Sequence, residues 1–350
     1  MRFRGVFLAR TASVFLFSAA LLCAATPAGE ARIVNPFAAP RSLLSPAANV
    51  SPYGDDGRLA FASEGEIYLV DPDGGGLTQL TYSGPGVYNY QPALSPDGTR
   101  VAFASISGDK SSIKVVDTNG GNLRSLTSNA LSHDGEPAWS PDGSKVAFVR
   151  GFDPTADGVA NHTTCGFEIY AVDVDDGHEV SLTRGLGGTD PSWSPDGERL
   201  AFASDREGSF DIYTMTADGE DVKRLTAEEG NEAEPAWSPD GKVIAYAGDL
   251  VDVSFYCGFA HTGLARGPNP TGPDIYVISS EGTEQDRLTY TEDSIEPAWS
   301  PDGVSLAFVS WRGDAPQVYV LHSPGKRAHA ITSDHAHKSS PSWGRAAIVR

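Results

Sequence analysis

The stretch Pro137-Ala138-Trp139-Ser140-Pro141-Asp142-Gly143 decides how this chain is read, because it recurs. It returns at Pro92–Gly98 (with Leu94 in the Trp position), Pro191–Gly197, Pro235–Gly241 and Pro297–Gly303. A worn copy ends in Asp55-Asp56-Gly57, and a clipped one, Pro341-Ser342-Trp343-Gly344, lies near the last residue. The closing glycines at 57, 98, 143, 197, 241 and 303 are 41, 45, 54, 44 and 62 residues apart. A period in the low forties is the signature of a propeller blade.

Each unit parses into four strands. The Pro-Ala-Trp-Ser segment is the first. Ser-Pro-Asp-Gly is a tight turn, in which Pro presets φ, Asp tolerates the next position and Gly supplies positive φ. An apolar strand follows, as in Val146-Ala147-Phe148, Leu200-Ala201-Phe202 or Leu306-Ala307-Phe308. The third strand reads Glu66-Ile67-Tyr68, Glu168-Ile169-Tyr170, Asp211-Ile212-Tyr213 or Asp274-Ile275-Tyr276, and the fourth is expected to end on Leu-Thr, as at Leu225-Thr226. Short apolar runs without strict alternation fit strands buried on both faces, which face-to-face blades provide. The expected fold is therefore all-β: a six-bladed β-propeller of four-stranded blades over residues 51–350. The segment at Pro341–Gly344 supplies the innermost strand of blade one, so the chain ends close the ring and remove its exposed edges.

The composition agrees. Gly 38 and Pro 24 make 62 of 350 residues, too many for a helical protein, while 40% hydrophobic residues can bury a core. Asp+Glu 46 against Lys+Arg 26 gives a net charge of −20. Such a surface repels phosphate backbones and anionic lipid, so the reading excludes nucleic-acid partners and membrane insertion and favours a basic protein or peptide. The alternative is that the charge serves solubility alone.

Residues 1–28 have the layout of a secretory signal peptide. Arg2, Arg4 and Arg10 precede the apolar run Thr11–Cys23 and the small residues 24–28, with cleavage after Ala25 or Ala28. Leu22 before Cys23 argues against a lipoprotein anchor. Residues 29–50 read as a Pro/Ala-rich linker. The mature chain is expected to be a monomer, secreted or periplasmic.

The heptapeptide resembles the TolB-type propeller repeat, the Pro-Asp variant of the WD40-like family, over about residues 51–349. The resemblance implies a non-enzymatic periplasmic protein that binds partners of a cell-envelope complex. TolB proteins carry an α/β domain ahead of the propeller. Here the repeat begins by residue 57, so that domain is not expected, which puts membership of such a complex in question. Related propellers cap serine hydrolases, and an accessory cap for a separate hydrolase is one alternative function.

Two departures from the repeat point to a site. Phe202 to Tyr213 and Phe308 to Tyr319 each span 11 residues, but Phe148 to Tyr170 spans 22 and Tyr246 to Tyr276 spans 30. The insertions occupy equivalent hairpins in blades three and five, hence one face, and long loops on a rigid scaffold are where recognition concentrates. Each carries Cys-Gly-Phe, at Cys165 and Cys257, with His162 or His261 nearby. A Cys165–Cys257 disulfide, two free thiols and a Cys2His2 zinc site are the competing readings.

The second departure is the residue before each first-strand Pro: Gln91, Glu136, Asp190, Glu234, Glu296 and Ser340. Four carboxylates at equivalent places predict an acidic axial mouth, to which His133, Asp293 and His337, four positions ahead of Pro, add polar groups. Such a ring would hold a basic peptide; a divalent cation is the alternative, and no other cofactor is implied. The ring is equally readable as solvated acids at strand ends. No residue is marked as a nucleophile, so no catalytic residue is named. The enzymatic alternative is a metal-assisted hydrolase, lactonase or lyase using the axial carboxylates.

Overall fold

The computed structural model describes residues 57–108, 110–128, 132–152, 166–228, 230–250, 272–322 and 327–345, all within one compact unit, Pro40–Arg350. The signal peptide, the linker and Cys23 lie outside these residues, as do Cys165, Cys257, His162 and His261.

Among the described residues there are strands and no helix. In chain order they are β1 (Gly57–Ser63), β2 (Glu66–Val70) and β3 (Thr78–Gln79); β4 (Val87–Leu94), β5 (Arg100–Ser107), β6 (Lys110–Asp117) and β7 (Arg124–Ser125); and β8 (Ser132–Trp139), β9 (Lys145–Phe152), β10 (Phe167–Asp173) and β11 (Glu179–Ser181). Then come β12 (Thr189–Trp193), β13 (Arg199–Ser204), β14 (Asp211–Thr216) and β15 (Lys223–Arg224); β16 (Ala233–Trp237), β17 (Val243–Gly248), β18 (Asp274–Ser279) and β19 (Gln285–Arg287); and β20 (Ser294–Trp299), β21 (Ser305–Ser310), β22 (Gln317–His322), β23 (His329–Ala330) and β24 (Lys338–Arg345).

The architecture is an all-β propeller. Four sheets are four-stranded antiparallel meanders: β24-β1-β2-β3, β12–β15, β16–β19 and β20–β23. The remaining eight strands form two such meanders, β4–β7 and β8–β11, joined by a single parallel pair, Ser111 opposite His133. β24 pairs with β1 from Gly57–Arg345 to Ser63–Lys338, so the last described strand completes the first unit.

The turns follow from their residues. In Ser-Pro-Asp-Gly the Gly143 N–H donates to the Ser140 carbonyl at 2.8 Å, and Gly143 has φ 72°. Ser140 Oγ donates to Asp142 Oδ1 at 2.7 Å, and the Ser144 N–H donates to the same oxygen. These bonds hold the Asp142 carboxyl below its ordinary range.

The second strands are buried on both faces, as in Leu59-Ala60-Phe61-Ala62, each 2% exposed or less. Their aromatic residue stacks on the tyrosine opposite: Phe61–Tyr68, Phe148–Tyr170, Phe202–Tyr213, Tyr246–Tyr276 and Phe308–Tyr319, with centroids 5.6–6.0 Å apart. The core lies between units. Ala147 and Ile169 of one pack with Leu200 and Met215 of the next, and Leu59 and Phe61 of the first pack with Val318 and Val320 of the last.

One sequence expectation is corrected. The fourth strand does not end on Leu-Thr; its pairing stops before that dipeptide. The Leu then turns into the core, and the Thr hydroxyl accepts a third-strand N–H, as in Ile212 N to Thr226 Oγ1 and Ile275 N to Thr289 Oγ1, both 2.9 Å. The repeat tryptophans differ in burial. Trp139 and Trp299 are buried, whereas Trp193, Trp237 and Trp343 are half-buried between units. The indoles of Trp139, Trp193 and Trp299 reach back to the carbonyls of Ala93, Ala138 and Ala236 on the preceding first strand.

Candidate functional site

The residues before the first-strand prolines occupy a structural device that their spacing did not reveal. Every one sits at a β-bulge. On β4 the register runs from Tyr90–Ala104 to Ala93–Ala102, so Gln91 and Pro92 together oppose Phe103. The same break falls at Glu136, Asp190, Glu234, Glu296 and Ser340. All six have left-handed backbone, with φ between 52° and 57°. That conformation costs a non-glycine residue about 1–3 kcal/mol, and proline fits beside it because a bulge needs no ladder N–H there.

Bonds between units offset this strain. Gln91 Oε1 accepts the Glu136 N–H at 3.1 Å, and Glu136 Oε2 accepts the Asp190 N–H at 2.7 Å. Glu234 Oε2 accepts the Glu296 N–H at 2.7 Å, and Glu296 Oε2 accepts the Ser340 N–H at 2.5 Å. The side chain at each of these bulges thus latches the backbone of the next. Glu136, Glu234 and Glu296 are half-buried connectors between units.

The other mouth candidates stand at one offset in three different units. His133 is half-buried at the bridge to Ser111, and His337 is exposed. Asp293 accepts the Ser310 hydroxyl at 2.9 Å and lies 3.6 Å from Arg312 Nε. Among the described residues no group of three or more His, Cys, Asp or Glu side chains could hold a metal ion.

One position later, three ahead of Pro, stands a set that the sequence reading passed over: Asn89, Asp134, Gly188, Glu232, Ser294 and Lys338. All are buried. Asp134, fully enclosed, accepts Arg150 Nε at 2.8 Å and Nη2 at 2.9 Å, and Arg150 Nη1 reaches Glu179 at 2.6 Å. Lys338, 3% exposed, donates to Ser63 Oγ across the first and last strands and pairs with Asp334. Glu232 accepts the Thr226 hydroxyl at 3.3 Å near the enclosed Asp211; burial first, then the Asp211 charge, pushes its carboxyl up to about 7. The signal was a polar or small residue in every unit at one offset, three ahead of the first-strand Pro.

The insertions leave from equivalent places. β9 and β10 separate beyond the Gly151–Phe167 pair, and β17 and β18 beyond Gly248–Asp274, both between the second and third strands. Residues 153–165 and 251–271 between them are not described.

Comparison with known proteins agrees with this architecture. A family model described as the TolB beta propeller domain matches residues 151–254. An uncharacterized protein of Agrobacterium fabrum is 33% identical over 192 residues, 52% of this chain and 58% of that one. A TolB homolog of Chlorobium luteolum is 32% identical over 156 residues, 43% of this chain and 31% of that one. The chain thus aligns with less than two thirds of either relative. The crystal structure of TolB from Acinetobacter baumannii superposes with a TM-score of 0.66 at 22% identity, covering 84% of this chain and 68% of that one, and so shares its fold. Repeat, architecture and relatives agree that the chain is similar to TolB-type β-propellers, with the family match itself spanning residues 151–254.

Proposed function

We propose that the chain is an extracytoplasmic, non-enzymatic scaffold that binds a protein or peptide on the face from which the two insertions leave. The observation that carries this reading is the shared origin of the insertions, beyond Gly151–Phe167 and beyond Gly248–Asp274, on equivalent hairpins. A rigid wheel that presents its two longest loops on one side is built for recognition. Counting the eight-stranded sheet as two blades gives six, with the Phe61–Val318 contact closing the ring. Glu136, Asp190, Glu234 and Glu296 then lie on the innermost strands, with His133, Asp293 and His337 nearby, and lend the face an acidic centre that suits a basic partner. The amino-terminal segment directs the chain to the secreted or periplasmic space, and Cys165 and Cys257 are available there for a disulfide. No helix among the described residues is long and apolar enough to cross a membrane.

The test is affinity capture from the native envelope with three forms: the full chain, a chain with residues 153–165 and 251–271 replaced by short turns, and the triple Glu136→Gln, Glu234→Gln, Glu296→Gln variant. Partners that bind only the full chain support the reading. Equal capture by all three overturns it.

A further inference from the structure

The units serve as internal controls for one another, and one lacks a group that its counterparts have. In four of them an arginine lies over the stacked aromatic pair or its tyrosine. Arg150 covers Phe148 and Tyr170, Arg206 covers Phe202 and Tyr213, Arg287 covers Tyr276, and Arg312 covers Phe308 and Tyr319, at 4.7–5.8 Å from the ring centroids. Arg150 has Asp134 and Glu179, and Arg312 has Asp293, while Arg287 pairs with Asp274 just as its own equivalent in the fourth unit, Arg224, pairs with Asp211. Arg206 pairs with no carboxylate among the described residues. Its Nε donates to Ser204 Oγ at 3.0 Å and its Nη2 to the Gly187 carbonyl at 3.1 Å.

The sequence explains the vacancy. Arg206 and Arg312 both stand four residues after the second-strand phenylalanine. Four ahead of the first-strand Pro, the sixth unit has Asp293 and the fourth has Gly187; three ahead, the third unit has Asp134 and the fourth has Gly188. The two positions that supply Asp134 to Arg150 and Asp293 to Arg312 are both glycine here. The neighbouring acids do not substitute. Glu207 is drawn 2.6 Å from Arg224, which also holds Asp211 at 2.7 Å, and Asp205 is exposed in the same turn. Arg206 itself is half-buried, and that burial holds its pKa below the usual arginine value. Nη1, which makes no bond among the described residues, leaves this partly desolvated guanidinium with N–H donors for an anion. It lies in the hairpin between β13 and β14, equivalent to those that carry the insertions and between them in chain order. Leu186, 62% exposed, offers apolar contact beside Gly187.

We infer that Arg206 is a binding site for a carboxylate supplied from outside the chain, of the kind presented by the C-terminus of a peptide, filling the place that Asp293 and Asp134 fill in neighbouring units. This deepens the docking reading but is tested apart from it, since the titration below uses no partner.

The full chain is titrated with N-acetyl-trialanine, with its C-terminal amide and with acetate, at fixed ionic strength. The Arg206 Nε–H resonance reports occupancy. Binding of the free acid about ten- to a hundred-fold tighter than the amide is expected, the size of one charge-assisted pair. Acetate binding far more weakly than the acid identifies a peptide terminus as the source; acetate binding equally well identifies a small free carboxylate. Arg206→Gln should abolish the difference between acid and amide. Gly187→Asp, which supplies an internal counter-ion, should abolish it in a folded protein, although the left-handed backbone there (φ 71°) strains the substitution. Should either variant fail to fold, the wild-type comparison of acid and amide still decides. No movement of the Arg206 resonance with acid or acetate, or unchanged binding by a folded Arg206→Gln, overturns the inference.

Discussion

Replacing Glu232 with Gln should stabilise this protein, and the gain should depend on pH. Glu232 is 6% exposed, and its pKa is raised from 4.5 to about 7, first by burial and then by the nearby Asp211 charge. An acid whose folded pKa exceeds its unfolded value binds more protons in the folded state. Stability is therefore full below about pH 4.5, falls as pH rises through the window to about 7, and stays low above it. A displacement of about 2.5 units corresponds to roughly 3 kcal/mol. Gln keeps an acceptor for the Thr226 hydroxyl and removes the ionisation. Urea unfolding at pH 5, 6, 7 and 8 measures the effect. The variant should match the wild type near pH 5 and exceed it by up to roughly 3 kcal/mol at pH 8, with a flatter profile between. Parallel profiles for the two proteins would show that Glu232 is ionised and hydrated in the folded state, and the argument from burial would fail.

Three further outcomes are expected. Arg150→Met leaves Asp134 buried without its counter-ion and should cost about 3–5 kcal/mol in denaturant unfolding, with much of the loss recovered by adding Asp134→Asn. Trp299→Ala removes a buried indole bonded to the Ala236 carbonyl and should cost about 3–5 kcal/mol; Trp237→Ala should cost less, because Trp237 is half-buried and its buried Nε1 meets no acceptor. Changing Glu136, Glu234 and Glu296 together to Gln should leave melting nearly unchanged, since Gln91 already makes the same bond, whereas changing all three to Ala should cost about 3 kcal/mol from the lost acceptors.

The fold was legible because each unit repeats its instructions. Ser-Pro-Asp-Gly specifies a turn by local chemistry alone, and the alternation of Ala with large apolar residues specifies a strand enclosed on both sides. Closure was legible because Pro341–Gly344 is a first strand without a unit of its own, and β24 beside β1 is where it went. The role of Glu136 and its equivalents was not legible. A bulge that pairs two residues against one leaves no mark on hydrophobic periodicity, and nothing in the spacing says that a carboxylate will meet the N–H of a residue 54 or 62 positions later. The buried set from Asn89 to Lys338 was missed for a related reason. Its members differ in charge, so similarity between copies, which revealed the heptapeptide, hid an offset at which the copies agree only in being enclosed.

These facts bear on where function resides in a repeated structure. A residue type that recurs in most units serves the contacts every unit must make. The bulge carboxylates illustrate this: four acids around an axis invite a cation, yet each of the three glutamates accepts the next unit's amide, and the equivalent glutamine does the same. The geometry of the glutamates is fixed by these bonds between units. Function is better sought where one unit departs from its neighbours and nothing internal compensates. The long hairpins of the third and fifth units are one such departure. The glycines facing Arg206 are another, and the more specific, since the other units state which chemical group is missing. A carboxylate that arrives from outside meets a guanidinium already stacked on two rings and oriented by Ser204 and Gly187. Little conformational freedom then remains to be lost on binding, which is the condition under which a single ion pair contributes measurably to affinity.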